Sequence, residues 1–229
     1  MPVVEEVGSS GFAIVEDVLD VDSTNRLRVL MASIARAEEG RGGVRNLLDV
    51  PEVRELADLE AIMNLVRPIL GAGAFAVRGI LFDKKAGANW KVPWHQDVTI
   101  AVRERIDVEG YGPWSVKQEV LHVQPPAHVL QAMLSVRLHL DDCPKSNGAL
   151  RVIPKSHEDG KLNQQQIEAQ SNQREAVTCE VRRGGALLMR PLLIHASSAA
   201  ESLSHRRVIH FDYTNVALDG GLQWREPQN

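Results

Sequence analysis

Leu130-Gln-Ala-Met-Leu-Ser-Val-Arg-Leu-His-Leu140 alternates two kinds of side chain along its length. Successive residues of an extended chain point to opposite faces. Ala132, Leu134, Val136, Leu138 and Leu140 therefore share one face, and Gln131, Met133, Ser135, Arg137 and His139 the other. The apolar face predicts contact with helices or a second sheet. The mostly polar face, on a central strand, needs a polar cavity, because buried polar groups without partners are costly.

Around this run the sequence reads as β-rich. Further strand-like segments are Phe75–Phe82, Pro93–Val102, Ala149–Ile153, Thr178–Val181, Ala186–Met189 and Arg207–Tyr213, and the central one is Val129–Leu140. Ser146-Asn147-Gly148 and Gly184-Gly185 supply turn chemistry between them. Upstream, Asp22-Ser23-Thr24 caps an apolar face of Leu27, Val29, Leu30 and Ile34, and Val53 to Leu70 predicts a second helix stopped by Gly71. Helices followed by many short strands predict a mainly β protein with flanking α-helices, a sandwich or barrel with helices on one face. No linker-like stretch divides the 229 residues, so one domain is expected over 1–229, helical to about 72 and β-rich over about 73–216.

Composition narrows the function. Twenty-six Lys and Arg stand against 30 Asp and Glu, a net charge of −4, and aromatics are 4%. A nucleic-acid binder would carry a concentrated basic surface or stacking aromatics; neither is expected here. The apolar run around Gly185–Ile194 is interrupted by Arg190 and is too short for a membrane span, which needs about 20 residues. The opening residues, with Glu5 and Glu6, do not read as a signal peptide, and a cytoplasmic location is expected. Cys143 and Cys179 show no CxxC spacing and are expected to be reduced core thiols. The oligomeric state is not legible.

The chemistry concentrates at Trp94-His95-Gln96-Asp97. On a strand, His95 and Asp97 present an imidazole and a carboxylate to the same side. His195, at the end of the apolar run Pro191–Ile194, offers a third ligand. Two histidines and one carboxylate leave positions open on an octahedral metal, the facial triad of non-haem Fe(II) oxygenases. Beyond it, Arg206 heads a strand with a guanidinium able to clamp a carboxylate in bidentate fashion.

Trp94–Asp97, Asn147-Gly-Ala-Leu-Arg-Val-Ile-Pro-Lys-Ser-His157 and Pro191–Ser198 followed by Arg206 together resemble the phytanoyl-CoA dioxygenase family of iron- and 2-oxoglutarate-dependent oxygenases. Gly11–Leu19 also looks like that family's N-terminal lead-in. The resemblance implies a double-stranded β-helix (jelly-roll, cupin-like) core. It implies His95, Asp97 and His195 as iron ligands, with Arg206 and Ser197 holding 2-oxoglutarate. Fe(II), 2-oxoglutarate and O2 would then serve to hydroxylate a small organic molecule, releasing succinate and CO2. Asp97 fills the position that halogenating relatives leave open for chloride, which favours hydroxylation. Lys155 stands where the family's turn motif usually has glycine, and that puts the loop's conformation in question.

The alternative is a zinc-dependent, cupin-like hydrolase or isomerase using the same triad. Arg206 discriminates, since a hydrolase has no need of a carboxylate anchor there. For substrate contacts the candidates are Trp90, Trp114, Lys117 and Arg137, with 103–118 read as an irregular segment able to close as a lid. Lys84 and Lys91 read as solvated lysines, and His122, His128 and His157 as surface or loop residues. His210 reads as a core histidine or one supporting the site.

Overall fold

The computed structural model of the chain describes residues 2–37, 43–85, 88–201 and 205–226. In chain order, helix α1 (Pro2–Ser10) leads through strand β1 (Phe12–Val15) to α2 (Val21–Ala37), α3 (Pro51–Ala57) and α4 (Glu60–Leu70). Strands β2 (Phe75–Lys84), β3 (Val92–His95), β4 (Ile100–Ala101), β5 (Trp114–Lys117) and β6 (Val120–Val123) follow, then the short α5 (Ala127–Gln131). Next come β7 (Met133–His139), β8 (Leu150–Val152), α6 (Gln164–Gln173), β9 (Val177–Cys179), β10 (Ala186–Met189), β11 (His195–Ser197) and β12 (Arg206–Thr214).

The strands form a five-stranded sheet, β1-β10-β7-β12-β2, facing a four-stranded one, β3-β11-β8-β9. Every recorded pairing is antiparallel, and a β4-β6-β5 ribbon completes the jelly roll. The alternation on β7 works as expected. Leu134, Val136 and Leu138 join Ile209, Phe211 and Tyr213 of β12 against the helices, where α4 contributes Ile62, Met63, Val66 and Leu70. Burying each such side chain contributes roughly 1.5–3 kcal/mol. Ser135, Arg137 and His139 turn the other way and are also buried, inside the barrel.

Several expectations need correction. The Val53–Leu70 helix is two helices, broken at Asp58-Leu59. The α2 cap is Asp20, whose Oδ1 accepts from the Ser23 N–H at 2.6 Å. The strand through Leu140 starts only at Met133, because the segment after Pro126 takes a helical turn first. The 93–102 strand is interrupted, β3 stopping at His95 and β4 starting at Ile100. The 103–118 segment ends in a hairpin strand, β5, paired to β6 in regular register. Its irregular part is tied down where Tyr111 donates to Asp219 at 2.9 Å. Cys143 and Cys179 are free and buried. No helix among the described residues is long and apolar enough to cross a membrane.

Lys155 adopts φ 67°, ψ −2°, the left-handed conformation a glycine would take freely. Its N–H donates to Ser10 O at 2.9 Å, which holds the loop in this shape. A side chain in that region costs about 1–2 kcal/mol, partly offset in the lysine's favour because glycine loses more chain entropy on folding. Lys155→Gly is therefore expected to raise stability by about 0.5–1 kcal/mol in thermal denaturation. A loss of stability would mean the lysine side chain makes a compensating contact.

Candidate active site

His95 closes β3 and His195 opens β11, and the two are directly opposed in the antiparallel register. Cross-strand pairing thus brings together imidazoles far apart in sequence, with ring centroids 4.1 Å apart. Asp97 lies past the end of β3, so alternation within a strand does not place it. Its N–H donates to Pro191 O at 2.9 Å, and this bond swings the carboxylate back toward the histidines. Nor does His195 end a strand: β10 stops at Met189, and Pro191–Ile194 forms a turn before β11. Asp97 Oδ1 is 4.0 Å from His95 Nε2, and Oδ2 is 3.7 Å from His195 Nε2. One ligand atom from each residue fits within 4.8 Å of the others, a spacing one ion can bridge.

Two backbone carbonyls fix the imidazoles for that task. His95 Nδ1 lies 2.9 Å from Pro93 O, and His195 Nδ1 2.8 Å from Leu193 O. A carbonyl only accepts, so both Nδ1 atoms carry the proton and both Nε2 lone pairs face Asp97, as metal ligation requires. Burial alone would raise the Asp97 pKa, but His195, His95, Arg78 and His210 outweigh it and hold the carboxyl at about 2. Burial and the neighbouring His95 lower His195 to about 3, keeping it neutral. Gln96, pointing away from its neighbours, clamps the turn that carries His195. Its Nε2 donates to Leu192 O at 2.7 Å and Gly160 O at 2.8 Å, and its Oε1 accepts from the Leu162 N–H at 2.9 Å.

Beside the triad the barrel interior holds a cluster of cations. Arg206 and Lys84 are opposed in the β12–β2 register, and both are buried. The Lys84 Nζ donates to Ser197 Oγ at 3.0 Å and Ser198 O at 2.6 Å, and Arg206 donates to Gly148 O. Ser197 is on the same strand as His195, so this cradle adjoins the His/Asp/His triad directly. Arg137 joins from β7, its Nη1 2.9 Å from His210 Nδ1. Among the described residues no carboxylate lies within ion-pair distance of Lys84, Arg137 or Arg206. Burial and the nearby Arg206 charge bring the Lys84 pKa down to about 8. Arg206 Nε, Arg137 Nε and both ring nitrogens of His139 are buried without a partner. Buried donors around unpaired positive charge are what an anion would satisfy.

The sequence profile of Phytanoyl-CoA dioxygenase (PhyH) matches residues 9–208. The chain belongs to the phytanoyl-CoA dioxygenase family. Solved structures of low identity share the fold. AviO1 from Streptomyces viridochromogenes Tue57 is 22% identical with a TM-score of 0.68, covering 100% of this chain and 97% of that one. SnoN, a non-haem α-ketoglutarate-dependent epimerase from nogalamycin biosynthesis, is 16% identical with a TM-score of 0.72 (94% and 82% covered). EctD from S. alaskensis, solved with 2-oxoglutarate and 5-hydroxyectoine, is 17% identical with a TM-score of 0.70 (93% and 75% covered). No curated protein matches significantly.

Within this phytanoyl-CoA dioxygenase fold the expected substrate residues scatter. Trp90 sits by the cradle, its ring centroid 5.7 Å from Lys84 Nζ. Arg137 belongs to the cradle as well, stacked 5.3 Å over Phe82. Trp114 packs with Ile100 and Val123 in a separate apolar cluster, under the Arg105 guanidinium at 5.4 Å. Lys117 donates to Thr99 Oγ1 at 3.0 Å, close to Asp97 in sequence.

Lys84 is the main correction. It reads as solvated in the sequence but is fully buried, its Nζ held by Ser197 Oγ and Ser198 O across the barrel. His122 is likewise buried, its Nδ1 2.9 Å from Val120 O, while His128 stays exposed. His157 is half-buried, against Gly8 O. His210 supports the site: Arg137 donates to its Nδ1, and its Nε2 donates to Asp212 Oδ1 at 2.9 Å.

Proposed function

We propose that the chain is a non-haem Fe(II)- and 2-oxoglutarate-dependent dioxygenase that hydroxylates a small organic molecule. The observation that carries this reading is the buried, unneutralised cradle of Arg206, Lys84 and Arg137 adjoining a His/Asp/His triad. His95, Asp97 and His195 would hold the iron, with Asp97 ionised and both histidines presenting Nε2. Arg206, Lys84 and Ser197 would hold the distal carboxylate of 2-oxoglutarate, and the orphaned His139 ring offers a further donor. When bound, Fe(II) and 2-oxoglutarate activate O2, with oxidative decarboxylation to succinate and CO2 supplying the oxidising power.

The protein's own residues orient these groups and keep water out. Apolar side chains of β10, Leu187 and Met189, wall the barrel interior beside Arg137 and Ser135. Asp97 occupies a ligand position that halogenation would need free, which supports hydroxylation. The epimerase among the neighbours means that fold alone does not select the outcome. A zinc hydrolase on the same triad would leave the cradle without a purpose.

The test is anaerobic addition of Fe(II) and then 2-oxoglutarate to metal-free protein, read by the visible band of the chelate. His95→Ala should lose the band. Charge-assisted hydrogen bonds contribute about 1.5–3 kcal/mol, so Arg206→Ala and Lys84→Met should each weaken 2-oxoglutarate binding roughly 10- to 100-fold. A folded, metal-loaded wild type with no band would hand the site to the zinc reading.

A further inference from the structure

The inward side of the five-stranded sheet carries a line of polar side chains that runs from Arg78 to Arg137. Arg78, Asp212 and Ser135 lie side by side on β2, β12 and β7, and in the next row Ile80, His210 and Arg137 do the same. One row further stand Phe82, Val208 and His139, and beyond them the opposed Lys84 and Arg206. Alternation puts all of these on one face. Asp212 accepts from Arg78 Nε and Ser135 Oγ and, through Oδ1, from His210 Nε2 at 2.9 Å. Arg137 Nη1 meets the other nitrogen of the same ring, Nδ1, at 2.9 Å.

These partners fix the protons of the ring. Although burial opposes it, the Arg78 charge keeps Asp212 ionised. A carboxylate only accepts and a guanidinium only donates. His210 therefore carries its single proton on Nε2 and offers the Nδ1 lone pair to Arg137. Arg137, so held, leans across β12: its guanidinium carbon lies 5.3 Å from the centre of the Phe82 ring on β2. That ring meets His210 edge to face, with centroids 5.9 Å apart. Phe82 and Lys84 share a face two residues apart, so the guanidinium is carried toward the row of Lys84 and Arg206. Among the described residues its one hydrogen bond is to the neutral ring, and its Nε is buried without a partner. Burial, and then the Arg206 charge, lower its pKa to about 10, which leaves it a cation at neutral pH. An arginine fixed by so long a relay, yet left with donors to spare, is arranged to receive an anion from outside the chain.

We propose that Arg137 binds the distal carboxylate of 2-oxoglutarate together with Arg206 and Lys84, and that His210, set by Asp212, is the positioning residue that aims it. This rests on the oxygenase reading and adds a consequence to it. The preference for a dicarboxylic over a monocarboxylic 2-oxo acid is set in part by a histidine that does not touch the acid. A guanidinium that is no longer aimed keeps its charge but loses the fork geometry that suits a carboxylate.

2-Oxoglutarate and 2-oxovalerate, which has a methyl group in place of the distal carboxylate, are titrated by calorimetry into the full chain saturated with Mn(II). The readout is the ratio of the two dissociation constants, which a general loosening of the barrel would not shift. Wild type should prefer 2-oxoglutarate. Arg137→Met and His210→Phe should each lower that preference roughly tenfold, the loss of a charge-assisted hydrogen bond. His210→Asn, whose Oδ1 can stand where Nδ1 does, should keep it within about threefold of wild type. If phenylalanine at 210 does not fold, His210→Ala takes its place. Mn(II) affinity by electron paramagnetic resonance should be unchanged throughout, since none of these residues belongs to the triad. A preference unaltered in Arg137→Met or in His210→Phe, an asparagine as damaging as phenylalanine, or no preference in the wild type overturns the proposal alone. A Mn(II)-loaded wild type that binds neither acid overturns the oxygenase reading and this proposal with it.

Discussion

Replacing His195 with alanine is expected to abolish metal retention and turnover of 2-oxoglutarate while leaving the fold intact. His195 is 3% exposed, and its Nδ1 is committed to Leu193 O, so its Nε2 has no function in the fold other than to face Asp97 and His95. Losing even an orienting partner of a metal ligand typically costs about 10–100-fold in metal affinity. Losing the ligand itself should exceed about 100-fold. The fold should tolerate it, because β11 is held by backbone pairing to both β3 and β8. The measurement is Mn(II) affinity by electron paramagnetic resonance alongside succinate release. Affinity within threefold of wild type would mean the metal sits elsewhere.

The largest effect on stability is expected at Asp212. This fully buried carboxylate accepts from Arg78 Nε at 2.6 Å, Ser135 Oγ at 2.6 Å and His210 Nε2 at 2.9 Å. Removing one partner of a buried pair costs about 3–5 kcal/mol because the other charge is left uncompensated. Asp212→Ala should therefore lower the melting temperature by about 2–4 °C for each kcal/mol lost. A change below about 1 kcal/mol would show that water reaches Arg78. The pH dependence has a definite sign. Although burial opposes it, Arg78 and His210 depress the Asp212 pKa far below the usual carboxylate range. Its stabilisation is then full above the unfolded pKa near 4 and fades only as pH falls below that. His122 acts earlier. Burial lowers its pKa to about 4, so stability should decline as pH falls from about 6.5 to 4, by roughly 3 kcal/mol at most. His122→Phe should flatten that part of the profile.

The parts of this site that could be read from sequence were those carried by residue type and order: the HxD pair, the later histidine and the arginine beyond it. The helix-facing side of β7 was legible too, because a two-residue period is visible in one segment. What was not legible depends on partners distant in the chain. The burial of Lys84 depends on acceptors at Ser197 and Ser198, more than a hundred residues away, and no local pattern separates it from exposed Lys91. Asp97 reaches the histidines through a backbone bond to Pro191, not through strand alternation. The expected strands overrun the observed ones at Val129–Ala132 and Gln96–Thr99, where the chain leaves the ladders although strand-like residues continue.

The opposed placement of His95 and His195 has a further consequence for how the protein is made. During synthesis His95 and Asp97 leave the ribosome long before His195, and until β11 pairs with β3 the triad is incomplete. Contacts this distant in sequence close late. With the triad as the proposed metal site, nascent chain would have little grip on any ion, and the finished barrel and the ions around it would decide which metal is taken up.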